Sequence, residues 1–125
     1  LLGARPYAEL PRYLAGLDVL LLPYRDDPMI RQSGPLKLRE CLAAGKPTVS
    51  VDVPEVRALE PHVRVAADHA AFLRHVRAAL DEPPDAPHAA ARQAAVADDG
   101  WDRRAEVLRH YLHALGAPEG AVAAP

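Results

Sequence analysis

The chain of 125 residues contains one cysteine, one phenylalanine, one tryptophan and one methionine, and only two of its fifteen basic residues are lysines. A lone cysteine, Cys41, excludes an internal disulfide framework and a CxxC metal clip. No apolar run approaches the roughly eighteen residues needed to span a bilayer. The first residues show no basic-then-apolar signal pattern, so the expected location is cytoplasmic. Neither sign of charge dominates: the formal net charge is −2 and the pI is about 6.3. That balance lacks the general electrostatic footprint of a nucleic-acid binder. No Gly-x-Gly-x-x-Gly or Walker loop is present, and no Ser-His-Asp arrangement can be placed. Of the six histidines, His110 and His113 stand at i, i+3 on the last helix and His69 and His75 share another, and neither pair has a third ligand at sensible spacing, so no metal is expected.

Half of the residues are hydrophobic and 26% are charged, as in an ordinary soluble globular protein. The length suits one domain, which can bury roughly two-thirds of the surface its unfolded chain exposes. Alanine fills one position in five and reads as background composition. The two lysines, Lys37 and Lys46, stand against thirteen arginines, so a lysine is the rarer choice and its place is informative.

Leu1-Leu2-Gly3 reads as the end of a strand and a turn. With no initiator methionine, the chain is expected to be a piece of a longer one. Leu10, Leu14 and Leu17 recur at helical spacing over residues 7–16. The run DVLLL at 18–22 suits a buried parallel strand, closed by Pro23. Residues 23–33 read as a polar loop carrying Arg25, the solvated pair Asp26-Asp27, and Arg31. A sharply bounded helix follows at 35–44, then a second buried strand at 47–51. Residues 54–60 read as a short helix with proline first, and 62–66 as an edge-like strand. Asp68 is the expected cap of a helix to about residue 81, with Phe72, Leu73, Val76 and Leu80 on one face. After a break at 83–87 comes an alanine-rich helix at 88–97. The last helix carries Trp101, Ala105, Leu108, Leu112 and Leu115 on one stripe, Trp101 reading as its packing anchor, and Gly116 ends it. Alternating helices and apolar strands predict an α/β domain, a Rossmann-like parallel sheet flanked by helices, over 1–116. The tail 117–125 is expected to be disordered.

The chemistry concentrates at 20–50. The loop leaves the C-terminal end of the first strand, where open parallel sheets bind ligands. Gly34 suits the cap of the next helix and Pro35 its first position. The amides of Leu36 and Lys37 then point outward at the positive end of the helix dipole, a ready anion site. Lys37 occupies a position that favours Glu or Gln, and a cation there costs about 0.3–1 kcal/mol. Arg31 adds positive charge just upstream. A bound phosphate reverses that penalty, and a sequence that breaks its local rule often does so at a functional site. The bland alternative is a solvated surface lysine. Glu40 lies three residues on, about 4–5 Å along the same face. Its carboxylate can accept two hydrogen bonds from vicinal hydroxyls, as on a ribose, or simply pair with Lys37. Leu38, Cys41 and Leu42 form the opposite, core face, with Cys41 a small buried hydrophobe.

The segment SGPLKLRECLAAGKPTVSVDVPEV resembles the donor-binding core of GT-B glycosyltransferases, most closely the retaining, family-4-like group and its P-L-K-hydrophobic-x-E-x-L-A-x-G-K-P-V-V signature. The flanks agree: Gly3 with Tyr7-x-x-Leu10-Pro11, the strand Asp18-Val-Leu-Leu-Leu-Pro23, and Trp101-x-x-Arg104 all resemble blocks of that family in the same order, over most of 1–115. The resemblance implies the C-terminal half of a GT-B fold, binding a nucleoside diphosphate sugar and transferring a hexose to an acceptor without a metal or other cofactor. It places a Glu near the donor sugar eight positions before a second Glu on the ribose. The second aligns with Glu40. The first aligns with Gln32, which can hydrogen-bond a sugar hydroxyl but carries no charge. Ser33, Gly34 and Leu36 fall where loop and helix amides approach the diphosphate, with Lys37 close to that charge. Gln32 and Lys37 are the candidate catalytic residues.

The family's acceptor site lies in an N-terminal domain, so the 125 residues alone are expected to give no transferase turnover. Peripheral membrane contact would come only through that missing half, and no nucleic-acid partner is expected. Two other classes fit the same residues. One is a GT-B-fold nucleotide-sugar epimerase, whose acid and base groups cannot be located here. The other is a non-catalytic or degenerate α/β nucleotide-binding module, which Gln32 favours.

Overall fold

A computed structural model describes residues 3–25, 27–34, 36–83 and 86–116. The expectations for Leu1-Leu2, Asp26, Pro35 and the tail 117–125 lie outside the described residues. Three strands, β1 (Leu20–Leu22), β2 (Thr48–Val51) and β3 (Arg64–Ala66), form one parallel sheet in the order β1-β2-β3. Leu20 pairs with Thr48, and Val49 with Arg64. The alternating α/β reading thus describes the fold, and β3 lies at the edge as its weaker sequence suggested.

Helices fill each crossover. After a 3₁₀ turn at Tyr7–Glu9 comes α1 (Leu10–Ala15), shorter than the continuous helix expected over 7–16. Between β1 and β2 lie α2 (Pro28–Arg31) and α3 (Leu36–Ala43). The helix α2 corrects the reading of 23–33 as a plain loop. Asp27 accepts a 2.7 Å hydrogen bond from the Met29 amide, and Pro28 takes the first position, so the cap and the preset φ angle together nucleate one turn. The short α4 (Pro54–Arg57) joins β2 to β3. The sheet is followed by α5 (His69–Leu80), α6 (Ala86–Ala95) and α7 (Trp101–Ala114). Asp68 caps α5 as expected, accepting from the Ala71 amide at 2.7 Å. Among the described residues no helix is long and apolar enough to cross a membrane.

Adjacent strand residues point to opposite faces, so Leu20, Leu22 and Val65 share one side of the sheet. There they join Leu38, Cys41, Leu42, Val53, Val56, Val63 and Val96 in the core. Leu38 and Leu42 are fully buried, which confirms the inner face of α3. On β1, Leu21 is 47% exposed, so this strand alternates and is not buried on both faces as its apolar run suggested.

Two further corrections concern helix faces. On α5 the buried residues are Ala71 and Ala79, whereas Leu73 and Leu80 are exposed. Small side chains let α5 lie close against β2 and β3, while Phe72 and Val76 of the expected face are half-buried and Leu73 and Leu80 turn outward. On α7 the period is as expected, but no residue of the helix is buried and Trp101 is 81% exposed. Trp101 therefore does not anchor the helix in the core.

Gly45 closes α3 with φ +71°, in the left-handed region that favours glycine. A Cβ there would stand 3.1 Å from the Ala89 Cβ, so α6 approaches this turn too closely for a side chain. Arg92 of α6 donates to the Gly45 carbonyl at 3.2 Å and to Glu82, which also accepts from Arg64 at 2.9 Å. That cluster ties α6, the end of α5 and the start of β3 to the end of α3.

Candidate functional site

In a parallel sheet with helical crossovers, each crossover helix runs back against its strand, so α3 starts at the carboxyl ends of the strands and finishes beside the start of β2. The candidate residues Gln32, Ser33, Gly34, Leu36, Lys37 and Glu40 all lie on the way into α3 or along its first two turns. Gln32 closes α2 and is exposed. Ser33 is half-buried and turns its hydroxyl back, donating to the Ile30 carbonyl at 3.1 Å, while its amide bonds the same carbonyl at 3.2 Å. Both of its donors thus shape the loop. Gly34, Leu36 and Lys37 are exposed, Leu36 to 60%. In a helix the amides of the first turn lack an internal acceptor, and exposure of these residues leaves that end accessible.

Glu55 of α4 reaches this end of α3. A Cβ at Gly34 would stand 3.8 Å from Glu55 Oε1. The Arg39 guanidinium meets that same oxygen at 2.6 Å and Asp99 Oδ2 at 2.9 Å. The hydrogen bond to Glu55 holds the Arg39 pKa above its ordinary value, against the opposing effect of burial. Neither Arg39 nor Glu55 was singled out from the sequence, because the pair joins two helices and no local spacing signals it.

Glu40 is half-buried and accepts a 3.0 Å hydrogen bond from the Tyr7 hydroxyl on Oε1. Both residues line a cavity of about 290 Å³ between α1 and α3, walled by Leu10, Pro11, Leu14 and Ala43. The bond to Glu40 raises the Tyr7 pKa, since the neighbouring carboxylate disfavours a phenolate. Behind Glu40, burial pushes the Cys41 thiol up to about 11, helped by the Glu40 charge. Cys41 is therefore a neutral core residue near pH 7 and no nucleophile.

A second, larger cavity of about 600 Å³ opens beyond the carboxyl ends of the strands. Its lining includes Tyr24, Arg25, Arg31, Asp52 and His69. Arg31 directly precedes Gln32, so the basic residue read as upstream support faces this crevice. Asp52 accepts both guanidinium contacts of Arg57, each at 2.5 Å, and these hold its carboxyl below the usual range. Of the candidate residues Glu40 lines the groove, whereas Gln32, Ser33, Gly34, Leu36 and Lys37 line neither of these two cavities; Lys37 lies one helical turn before Glu40 on α3. Among the described residues no group of three His, Cys, Asp or Glu side chains could hold a metal.

The chain is 39% identical over 64 residues to the protein named "Putative teichuronic acid biosynthesis glycosyltransferase TuaH" of Bacillus subtilis (strain 168). The match covers 49% of this chain and 16% of that relative's length. It supports a relationship to glycosyltransferases. No family model matches the chain. No solved structure matches it.

Proposed function

We propose that the chain supplies the donor-binding part of a GT-B glycosyltransferase that moves a hexose from a nucleoside diphosphate sugar to an acceptor. The observation that carries this reading is the layout of α3. Its exposed start, with Lys37, is followed one turn later by Glu40 opening into a groove between helices. An extended ligand with two adjacent negative charges, then a vicinal diol, then a flat ring matches that order. The amides of Leu36 and Lys37 and the Lys37 ammonium take the diphosphate. Glu40 accepts from the ribose hydroxyls, and Gln32 offers its amide to the sugar.

Charge grows on the diphosphate as the bond to the sugar breaks. Donors already aimed at that position stabilise the transition state more than the ground state, which is where such groups accelerate reaction. No metal is required for this role, because Lys37 and the helix end supply the positive charge. The acceptor side belongs to a further domain, so the 125 residues bind donor without turning it over. That Gln32 is neutral favours a second reading, a binding module without transfer.

Calorimetric titration of the chain with UDP-, GDP- and ADP-glucose tests the proposal. At least one is expected to bind, and Lys37→Ala or Glu40→Gln to weaken it about tenfold, or ~1.4 kcal/mol. Binding of none contradicts the donor reading. Binding by the chain, with no transfer by a full-length protein that contains it, selects the second reading.

A further inference from the structure

We propose that Tyr7 is a positioning residue for Glu40: its hydroxyl fixes one carboxylate oxygen and leaves the other to take a ribose hydroxyl, so ribose recognition depends on a residue outside α3. This inference rests on the donor reading above and adds a residue to it.

The pair is separated by 33 residues in sequence yet bonded at 3.0 Å, at the mouth of the groove both residues line. The contact does little for folding. Tyr7 is 74% exposed, so its ring buries little area, and an exposed side-chain hydrogen bond has small net worth in water. Its effect falls on the Glu40 rotamer. A glutamate on a helix surface samples several rotamers, and holding one of them lowers the entropy lost when a ligand hydroxyl arrives. With Oε1 engaged by the Tyr7 hydroxyl, Oε2 is the oxygen this bond leaves to accept from a ligand, on a side chain that lines the groove. A phenol is protonated at neutral pH in any case, and the Glu40 hydrogen bond and charge move the Tyr7 pKa further up, so its hydroxyl remains a donor there. Around this polar pair the groove is apolar, from Leu10, Pro11 and Leu14, and the Tyr7 ring stands at its edge where a flat base can lie against it.

The test uses UDP, GDP and ADP with their 2′-deoxy and 3′-deoxy forms, titrated into the chain and into Tyr7→Phe and Tyr7→Ala. The unaltered chain is expected to prefer the ribo form of the bound nucleotide over at least one deoxy form by about tenfold. Tyr7→Phe keeps the ring and removes only the donor, and is expected to cut that preference to about threefold while the melting temperature stays unchanged. Tyr7→Ala is expected to show the same loss of preference and, without the ring, a further drop of about tenfold in affinity for every form. A Tyr7→Phe chain that binds nucleotide with the original ribo-to-deoxy ratio overturns the inference and leaves the donor reading standing. Failure of the unaltered chain to bind any of the three overturns both.

Discussion

Arg39 holds the Glu55 carboxylate at 2.6 Å, beside Gly34 and the start of α3. The pairing matters because an uncompensated carboxylate there competes with any anion for the same helix end. Arg39→Gln is expected to weaken UDP or GDP binding about fivefold, the ~1 kcal/mol that two unit charges a few ångströms apart exchange in water. It also removes two partly exposed ion pairs and lowers stability by about 1 kcal/mol. Adding Glu55→Gln restores the affinity without restoring the stability. Paired calorimetry and denaturant melts of the three variants check both parts.

Acid should destabilise the fold through Glu82. Burial by itself raises this carboxyl, but hydrogen bonds from Arg92 and Arg64 outweigh it and leave the pKa below the ordinary value. A depressed folded pKa means stability that is fully present above the unfolded value, about 4.3, and is lost as pH falls through the folded value. Denaturant unfolding between pH 7 and pH 3 should show this loss in the unaltered chain and a weaker dependence in Glu82→Gln. At pH 7 that variant should be less stable by roughly 3 kcal/mol, because Arg92 is left buried with its main partner weakened.

The two most conspicuous apolar residues should behave in opposite ways. Leu38 is fully buried, so Leu38→Ala leaves a cavity and costs about 3 kcal/mol. Trp101 is 81% exposed, so Trp101→Ala should change stability by less than ~0.5 kcal/mol. Urea melts of the two variants decide the matter, and a loss at Trp101 as large as that at Leu38 would contradict the placement of α7.

Local chemistry made much of the fold legible. Apolar runs mark β1 and β2, HVRVA marks β3 more weakly, Asp68 marks the start of α5, and Gly45 with Pro47 marks the end of α3. The Asp27-Pro28 cap carries the same signal, but in polar surroundings that read as a loop. Helix faces were harder to read. Periodicity put Trp101, Leu108 and Leu115 on one stripe, but a stripe does not say whether another surface covers it. On α5 the size of Leu73 and Leu80 drew attention from Ala71 and Ala79, whose smallness is what allows close approach. At the site, Lys37 and Glu40 were legible from spacing within one helix. Tyr7 and Glu55 were not, since both reach the site from other elements.

The most direct measurement is the amide NMR spectrum of the labelled chain titrated with UDP, GDP and ADP. Diphosphate at the start of α3 predicts that, for at least one nucleotide, the largest shifts fall on the amides of Gly34, Leu36 and Lys37, with smaller ones at Glu40 and Tyr7. Shifts confined to other elements, or none with any of the three, would contradict it.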